Sequence, residues 1–130
     1  MGKLSAFLKP VPAGKTAEVV IDRFTDEDGK TVPIVVKSIT PEENEAIFRR
    51  CTSKNGVLDT AAYGNQLMLA CMVQPDLRDT ELCKFYGVVD PAMVPGRMFT
   101  IGEKQLVSDA ILGINDLKTA KERLDAAKNF

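Results

Sequence analysis

A chain of 130 residues, 45% hydrophobic and 27% charged, has the size and make-up of one soluble globular domain that needs no disulfide or metal to stay folded. A formal charge of -1 and a pI of about 5.5 argue against a chain whose main work is gripping phosphate backbones. Histidine is absent, which excludes Ser-His-Asp and Cys-His catalysis, His-ligated metals and the usual proton shuttle at neutral pH.

Residues 1–16 read as a flexible basic arm. Lys3, Lys9 and Lys15 occur there with no acidic residue. Leu4–Lys9 suits a short turn of helix, and Pro10, Pro12 and Gly14 suit an extended connector. Leu4, Phe7 and Leu8 fall at i, i+3, i+4 and share one apolar face, the spacing of a docking peptide. A frayed terminus accounts for the same residues without a function. The apolar run is too short for a signal-peptide core, and no stretch reaches the roughly 18 apolar residues of a membrane span. The expectation is a cytoplasmic protein.

Residues 17–130 read as a single domain, α+β and mostly α: a β-hairpin over 17–39, then a bundle of about five to six short helices over 40–130. Ala17–Phe24 and Val32–Ile39 are rich in β-branched residues and flank Asp28-Gly29, the dipeptide of a type I′ turn. That turn sets Ile21 opposite Val36 and Arg23 opposite Ile34. It gathers Val19, Ile21, Val32, Ile34 and Val36 on an inner face, with Val20, Asp22, Phe24, Val35 and Lys37 outside. Pro33 donates no backbone hydrogen bond, which predicts an edge strand. A lone two-stranded ribbon is marginal, so it must lean on helices or on another chain.

The helices have marked ends. Thr40-Pro41-Glu42-Glu43 is a capping box that opens a helix to about Ser53. A loop with Asn55-Gly56 follows, and Asp59 caps a helix to about Val73, with Pro75 just beyond. Asp79 caps a short helix ending at Tyr86-Gly87. Asp90-Pro91 starts another piece that Pro95-Gly96 interrupts. Thr100-Ile101-Gly102-Glu103 is a second capping box, opening a helix to Leu112 that Gly113 closes. Asn115 or Asp116 caps a last helix whose stripe is Leu117, Ala120, Leu124 and Ala127.

Motifs that would carry chemistry fail on their neighbours. With Gly29 at the glycine of an EF-hand loop, Phe24 and Val35 occupy ligand positions, so Asp26-Glu27-Asp28-Gly29 reads as a solvated turn. No phosphate-binding glycine loop occurs. Acidic clusters such as Glu42/Glu43/Glu45 sit at helix starts and offset the helix dipole. The Lys118/Lys121/Arg123/Lys128 set alternates with Glu122 and Asp125 and lacks interleaved aromatics, so nucleic acid is not expected as a partner. Cys51, Cys71 and Cys83 read as small buried thiols; only Cys51, after Arg49 and Arg50, has cationic neighbours that would activate it. No cofactor, metal or membrane is expected.

One segment, Val73 to Val88, carries V-x-P-x-L-x-D-x-E-L-x-x-x-Y-G-V. Physically it is a helix stop, a proline-led turn, a cap and a glycine-stopped helix, a corner between two helices. The pattern resembles the XkdN-like tail assembly chaperones of tailed bacteriophages and phage-like prophage elements. Leu4-Ser5-Ala6-Phe7-Leu8, Arg23-Phe24 before an acidic Asp-Gly turn, Ile39-Thr40, Gly102-Glu103 and Ala127-Lys128-Asn129 agree in order, so the resemblance spans nearly the whole chain. It departs at Met93-Val94-Pro95-Gly96, where the family runs a continuous Leu-rich helix. The resemblance implies a small non-enzymatic factor of the bacterial host cytoplasm. Such a factor holds the tape-measure protein soluble, helps tail-tube protein assemble around it, and is absent from the finished particle; in many phages it also exists in a longer frameshifted form. The alternative is a structural tail or connector component that stays in the particle.

A chaperone of this kind works by reversible apolar contacts bounded by charge. The candidate contact residues are Leu4, Phe7 and Leu8 on the arm, and Val20, Phe24 and Val35 on the outer hairpin face. Self-association is compatible with the same surfaces.

Overall fold

Capping chemistry sets where the helices begin. The computed structural model describes residues 3–12 and 14–117, and within them α1 (Pro41–Arg50) and α5 (Ile101–Ile114) both open on complete capping boxes. The Thr40 and Thr100 hydroxyls accept from the Glu43 and Glu103 amides, and each glutamate reaches back to accept from its threonine's amide. Asp59 and Asp79 cap α2 (Thr60–Cys71) and α3 (Thr80–Tyr86) with carboxylates that accept from first-turn amides. At Gly87, φ +66, the chain leaves α3: Val88 N–H donates to Cys83 O and Gly87 N–H to Lys84 O, a Schellman ending. These helices and a small antiparallel sheet give the α+β, mostly α architecture.

The sheet has three strands rather than two: β1 (Thr16–Val19), β2 (Ile34–Lys37) and β3 (Met72–Gln74), in the order β1-β2-β3. The segment expected to finish the second helix leaves it at Cys71 and pairs with β2, Gln74 opposite Val35 and Met72 opposite Val36, with a bulge between. β2 is therefore central. Pro33 sits just before it, its ring outside the ladder and its carbonyl accepting from Gln74 Nε2 at 2.7 Å, so no edge is required. The expected corner joins strand β3 to α3, not two helices.

The hairpin register also differs. Ala17, not Ile21, stands opposite Val36, a displacement of four residues. Because four is even, the faces are preserved: Ile34 and Val36 are buried inside and Val19 packs beside them. Pairing stops after Val19, and a separate small ladder forms at Thr25↔Thr31. Its tip is a three-residue loop in which Gly29 alone has positive φ, +78, while Asp26 Oδ1 accepts from the Asp28 and Lys30 amides. A type I′ turn would need Asp28 at positive φ as well.

Two helix ends differ for identifiable reasons. Pro95-Gly96 lies inside α4 (Val94–Met98), which continues a 3₁₀ turn (Pro91–Met93). Pro95 occupies the first turn, where its missing N–H is no loss. Gly113 does not close α5. The helix runs to Ile114 and reverses at Asp116, φ 58, with Leu117 N–H donating to Leu112 O and Asp116 N–H to Gly113 O. Asn115 thus ends α5 instead of starting another helix. The expected helix beyond Leu117 lies outside the described residues.

One core joins the sheet's inner face to the helices. Val36, Cys71, Leu77, Val94, Pro95 and Val107 are its most enclosed side chains. α5 crosses behind β1 and β2, and α1 packs on α2.

Candidate partner-binding surface

The arm begins with a 3₁₀ turn (Lys3–Phe7) that buries nothing. Leu4 and Leu8 are each 69% exposed and Phe7 78%, so the three apolar side chains expected to share a face are all presented to solvent. Lys3 and Lys9 bracket them.

The arm is tied to the domain at Lys15. Its N–H donates to Ser38 Oγ at 3.0 Å, its carbonyl accepts from Ser38 N–H at 2.7 Å, and its ammonium lies 3.8 Å from Asp116. Val11 and Pro12 in the connector border a groove of about 320 Å³ whose far wall includes Ile39, Pro41, Leu67 and Ile114. Sequence reasoning missed this groove because its walls come from the arm, the end of β2, α1, α2 and α5. The only local signal is Val11, the one large apolar side chain in a connector otherwise built of proline, alanine, glycine and lysine.

Asn115 also lines the groove. Its Oδ1 accepts from Ile39 N–H at 2.9 Å, and its Nδ2 donates to Ile111 O at 2.8 Å. The end of α5 and the end of β2 are thereby fixed to each other.

The hairpin candidates divide. Val20 is 60% exposed and follows β1; Val35 is half-buried on the outer face of β2. Phe24 is not on that face. A turn closed by Phe24 N–H donating to Ile21 O rotates the chain, and the ring packs inward, edge-on to Phe99 with centroids 5.9 Å apart. The Arg23 guanidinium lies over the Phe24 ring, 4.2 Å from its centre. The structure therefore leaves Leu4, Phe7 and Leu8 each exposed on the arm and Val20 and Val35 on the sheet side, and removes Phe24 from the outer surface.

The Val73–Val88 corner is built for position. Leu77 is 1% exposed. Cys83 Sγ lies 3.2 Å from the Leu77 carbonyl, and Arg97 from α4 donates to the Tyr86 and Gly87 carbonyls at 2.6 and 3.2 Å. On the outside of the same corner, Phe85 is 80% exposed, a feature the sequence reading did not single out.

Among the described residues, perturbed titration is found at structural contacts. Arg23 donates to Glu103 through Nε and Nη2, and with the Thr100 amide this holds the Glu103 carboxyl down to about 2. Burial pushes the Cys71 thiol up to about 11. Among the described residues no group of three or more His, Cys, Asp or Glu is arranged to hold a metal ion, and no helix is long and apolar enough to cross a membrane.

Residues 4–128 match the family described as Phage XkdN-like tail assembly chaperone protein. The chain is 26% identical over 109 residues to the phage-like element PBSX protein XkdN of Bacillus subtilis strain 168, covering 76% of this chain and 74% of that one. It is likewise 26% identical over 109 residues to the uncharacterised protein YqbN of the same strain, covering 76% and 73%. The fold matches the crystal structure of the protein YqbN with a TM-score of 0.70 and 25% identity, over 91% of this chain and 99% of that one. With 125 of its 130 residues inside that family match and a fold that agrees, this chain belongs to the XkdN-like phage tail assembly chaperones.

Proposed function

We propose that this chain binds a phage tape-measure protein, keeps it soluble while tail-tube protein assembles around it, and does so without catalysis. It acts in the cytoplasm of the bacterial host and leaves before the particle is complete. The observation that carries this reading is the arm: Leu4, Phe7 and Leu8 each exposed on a lysine-flanked segment, anchored to the domain at Lys15. Apolar side chains held out in this way offer reversible contact to an apolar helical partner, and the flanking charge keeps the chaperone itself soluble.

Co-expression tests it. The soluble fraction of the tape-measure protein is expected to rise with this chain present. Changing Phe7 and Leu8 together to Asp is expected to lower that gain while leaving the domain folded, because a charge placed in an apolar contact is costly to desolvate. Unchanged tape-measure solubility overturns the reading, as does recovery of the chain in purified particles, which marks a retained structural component.

A further inference from the structure

A second apolar recess lies at the Val73–Val88 corner, open to solvent. Half-buried Pro75 and Leu82 and exposed Phe85 are its apolar lining, and exposed Asp76, Asp79 and Glu81 its acidic lining, around about 380 Å³. Leu82 and Phe85 are three residues apart on α3 and so share an edge of the helix. Asp76 Oδ1 accepts from the Arg78 amide and Asp79 Oδ1 from the Glu81 and Leu82 amides, so each carboxylate is held at the recess with its second oxygen outside those bonds. Arg78 and Lys84 are neighbours in sequence but do not line the recess.

The chain carries a segment of matching chemistry. Lys3–Lys9 presents Leu4, Phe7 and Leu8 between two lysines, and residues 1–15 contain no acid. Apolar groups bracketed by positive charge complement an apolar lining beside carboxylates. We propose that the recess between Pro75 and Phe85 receives residues 3–9 of a second copy of this chain, in a reciprocal exchange that closes a symmetric dimer.

The sheet argues for a second copy over the same chain. The arm joins β1 at Thr16, opposite Lys37, and is pinned to Ser38 at that end of the sheet. Pro75 follows Gln74 at the other end, beside Pro33. The connector residues Val11 and Pro12 border the groove at the Ser38 end, and Leu4, Phe7 and Leu8 remain exposed instead of reaching across to Phe85. In the dimer each arm covers the other copy's Phe85, and a partner protein that takes the arm must compete with it.

Sedimentation equilibrium of the full chain tests the exchange without any partner protein, so its result is independent of the chaperone reading. At low salt the mass is expected to rise from monomer to dimer with concentration, and high salt is expected to weaken association. Phe7→Asp and Phe85→Asp are each expected to raise the dimer dissociation constant by about tenfold or more, as for loss of an aromatic anchor, with unchanged circular dichroism. An equal mixture of the two variants is expected to associate more tightly than either alone, because the intact arm of Phe85→Asp meets the intact recess of Phe7→Asp. A wild-type chain that stays monomeric overturns the proposal, whether its arm is free or docked on its own chain. Dimerisation of Phe85→Asp equal to wild type overturns it too, since the arm then seats elsewhere.

Discussion

Arg23 and Glu103 are eighty residues apart and meet in a two-pronged ion pair: Nε to Oε2 and Nη2 to Oε1, both at 2.7 Å. The same Glu103 Oε1 accepts from the Thr100 amide at 2.9 Å, so one carboxylate both closes the capping box of α5 and grips the hairpin excursion. Arg23 Nη2 also donates to the Met98 carbonyl, and its guanidinium covers Phe24, which packs on Phe99. The small outer hairpin, which no longer pairs with the main sheet at this point, is attached to the start of α5 through this cluster.

Its pH dependence has a definite sign. The Glu103 carboxyl is held at about 2 in the folded chain, below the unfolded value of about 4.3. Its contribution is therefore present above the unfolded value and is lost as pH falls from there towards 2. The thermal midpoint of Glu103→Gln is expected to lie below wild type near neutral pH, and the gap is expected to close in acid. In an Arg23→Ala background the same substitution is expected to have a smaller effect. A gap that is constant across pH would refute the ion-pair account.

Leu77→Ala is expected to destabilise the domain by about 2–5 kcal/mol, the range for a fully buried leucine truncated to alanine. Leu77 lies two residues before the Asp79 cap, whose carboxylate ties the chain to the first turn of α3, so little nearby backbone can move in to fill the space. Denaturant unfolding followed by circular dichroism measures the change; a shift within error would show that the corner relaxes.

The features legible in the sequence are those whose cause is local. Thr40, Asp59, Asp79 and Thr100 cap helices because their side chains reach amides within the next three residues, and that spacing is visible in one dimension. Leu4, Phe7 and Leu8, each exposed on the arm, are legible in the same way as apolar residues of a short local segment. β3 is not. Met72-Val73-Gln74 continues an apolar helical pattern, and what makes it a strand is the open edge of β2 beside it. The inward position of Phe24 was hidden too. Alternation predicts faces only while strands stay paired, and pairing ends at Val19.

Cys71 is expected to be the slowest thiol to alkylate in the folded chain. It is fully enclosed, and burial pushes its thiol up to about 11, so both access and thiolate fraction are low. Cys51 and Cys83 are half-buried. Timed iodoacetamide labelling with peptide mass analysis is expected to show Cys71 modified only after global unfolding; native-state labelling as fast as in denaturant would mean that α2 opens locally at its C-terminal end.

Asn115 offers a sharper test of how the groove beside the arm is held. The Ile39 amide is buried, and its acceptor is Asn115 Oδ1 at 2.9 Å. Asn115→Ala leaves that amide without a partner, which is expected to cost about 1–3 kcal/mol. Asn115→Asp keeps an oxygen for Ile39 but loses the donor to the Ile111 carbonyl, and is expected to restore protection at Ile39 without restoring full stability. Because Ser38, next in the chain, anchors Lys15, loosening Ile39 is expected to reach the arm's attachment. Hydrogen exchange reads each of these sites. In Asn115→Ala the Ile39 and Ser38 amides are expected to exchange faster than in wild type by more than the global loss of stability explains, while the Glu43 amide at the capping box of α1 changes only by the global amount. Equal acceleration at all three would show that Asn115 contributes to stability in general but does not hold the arm's attachment point.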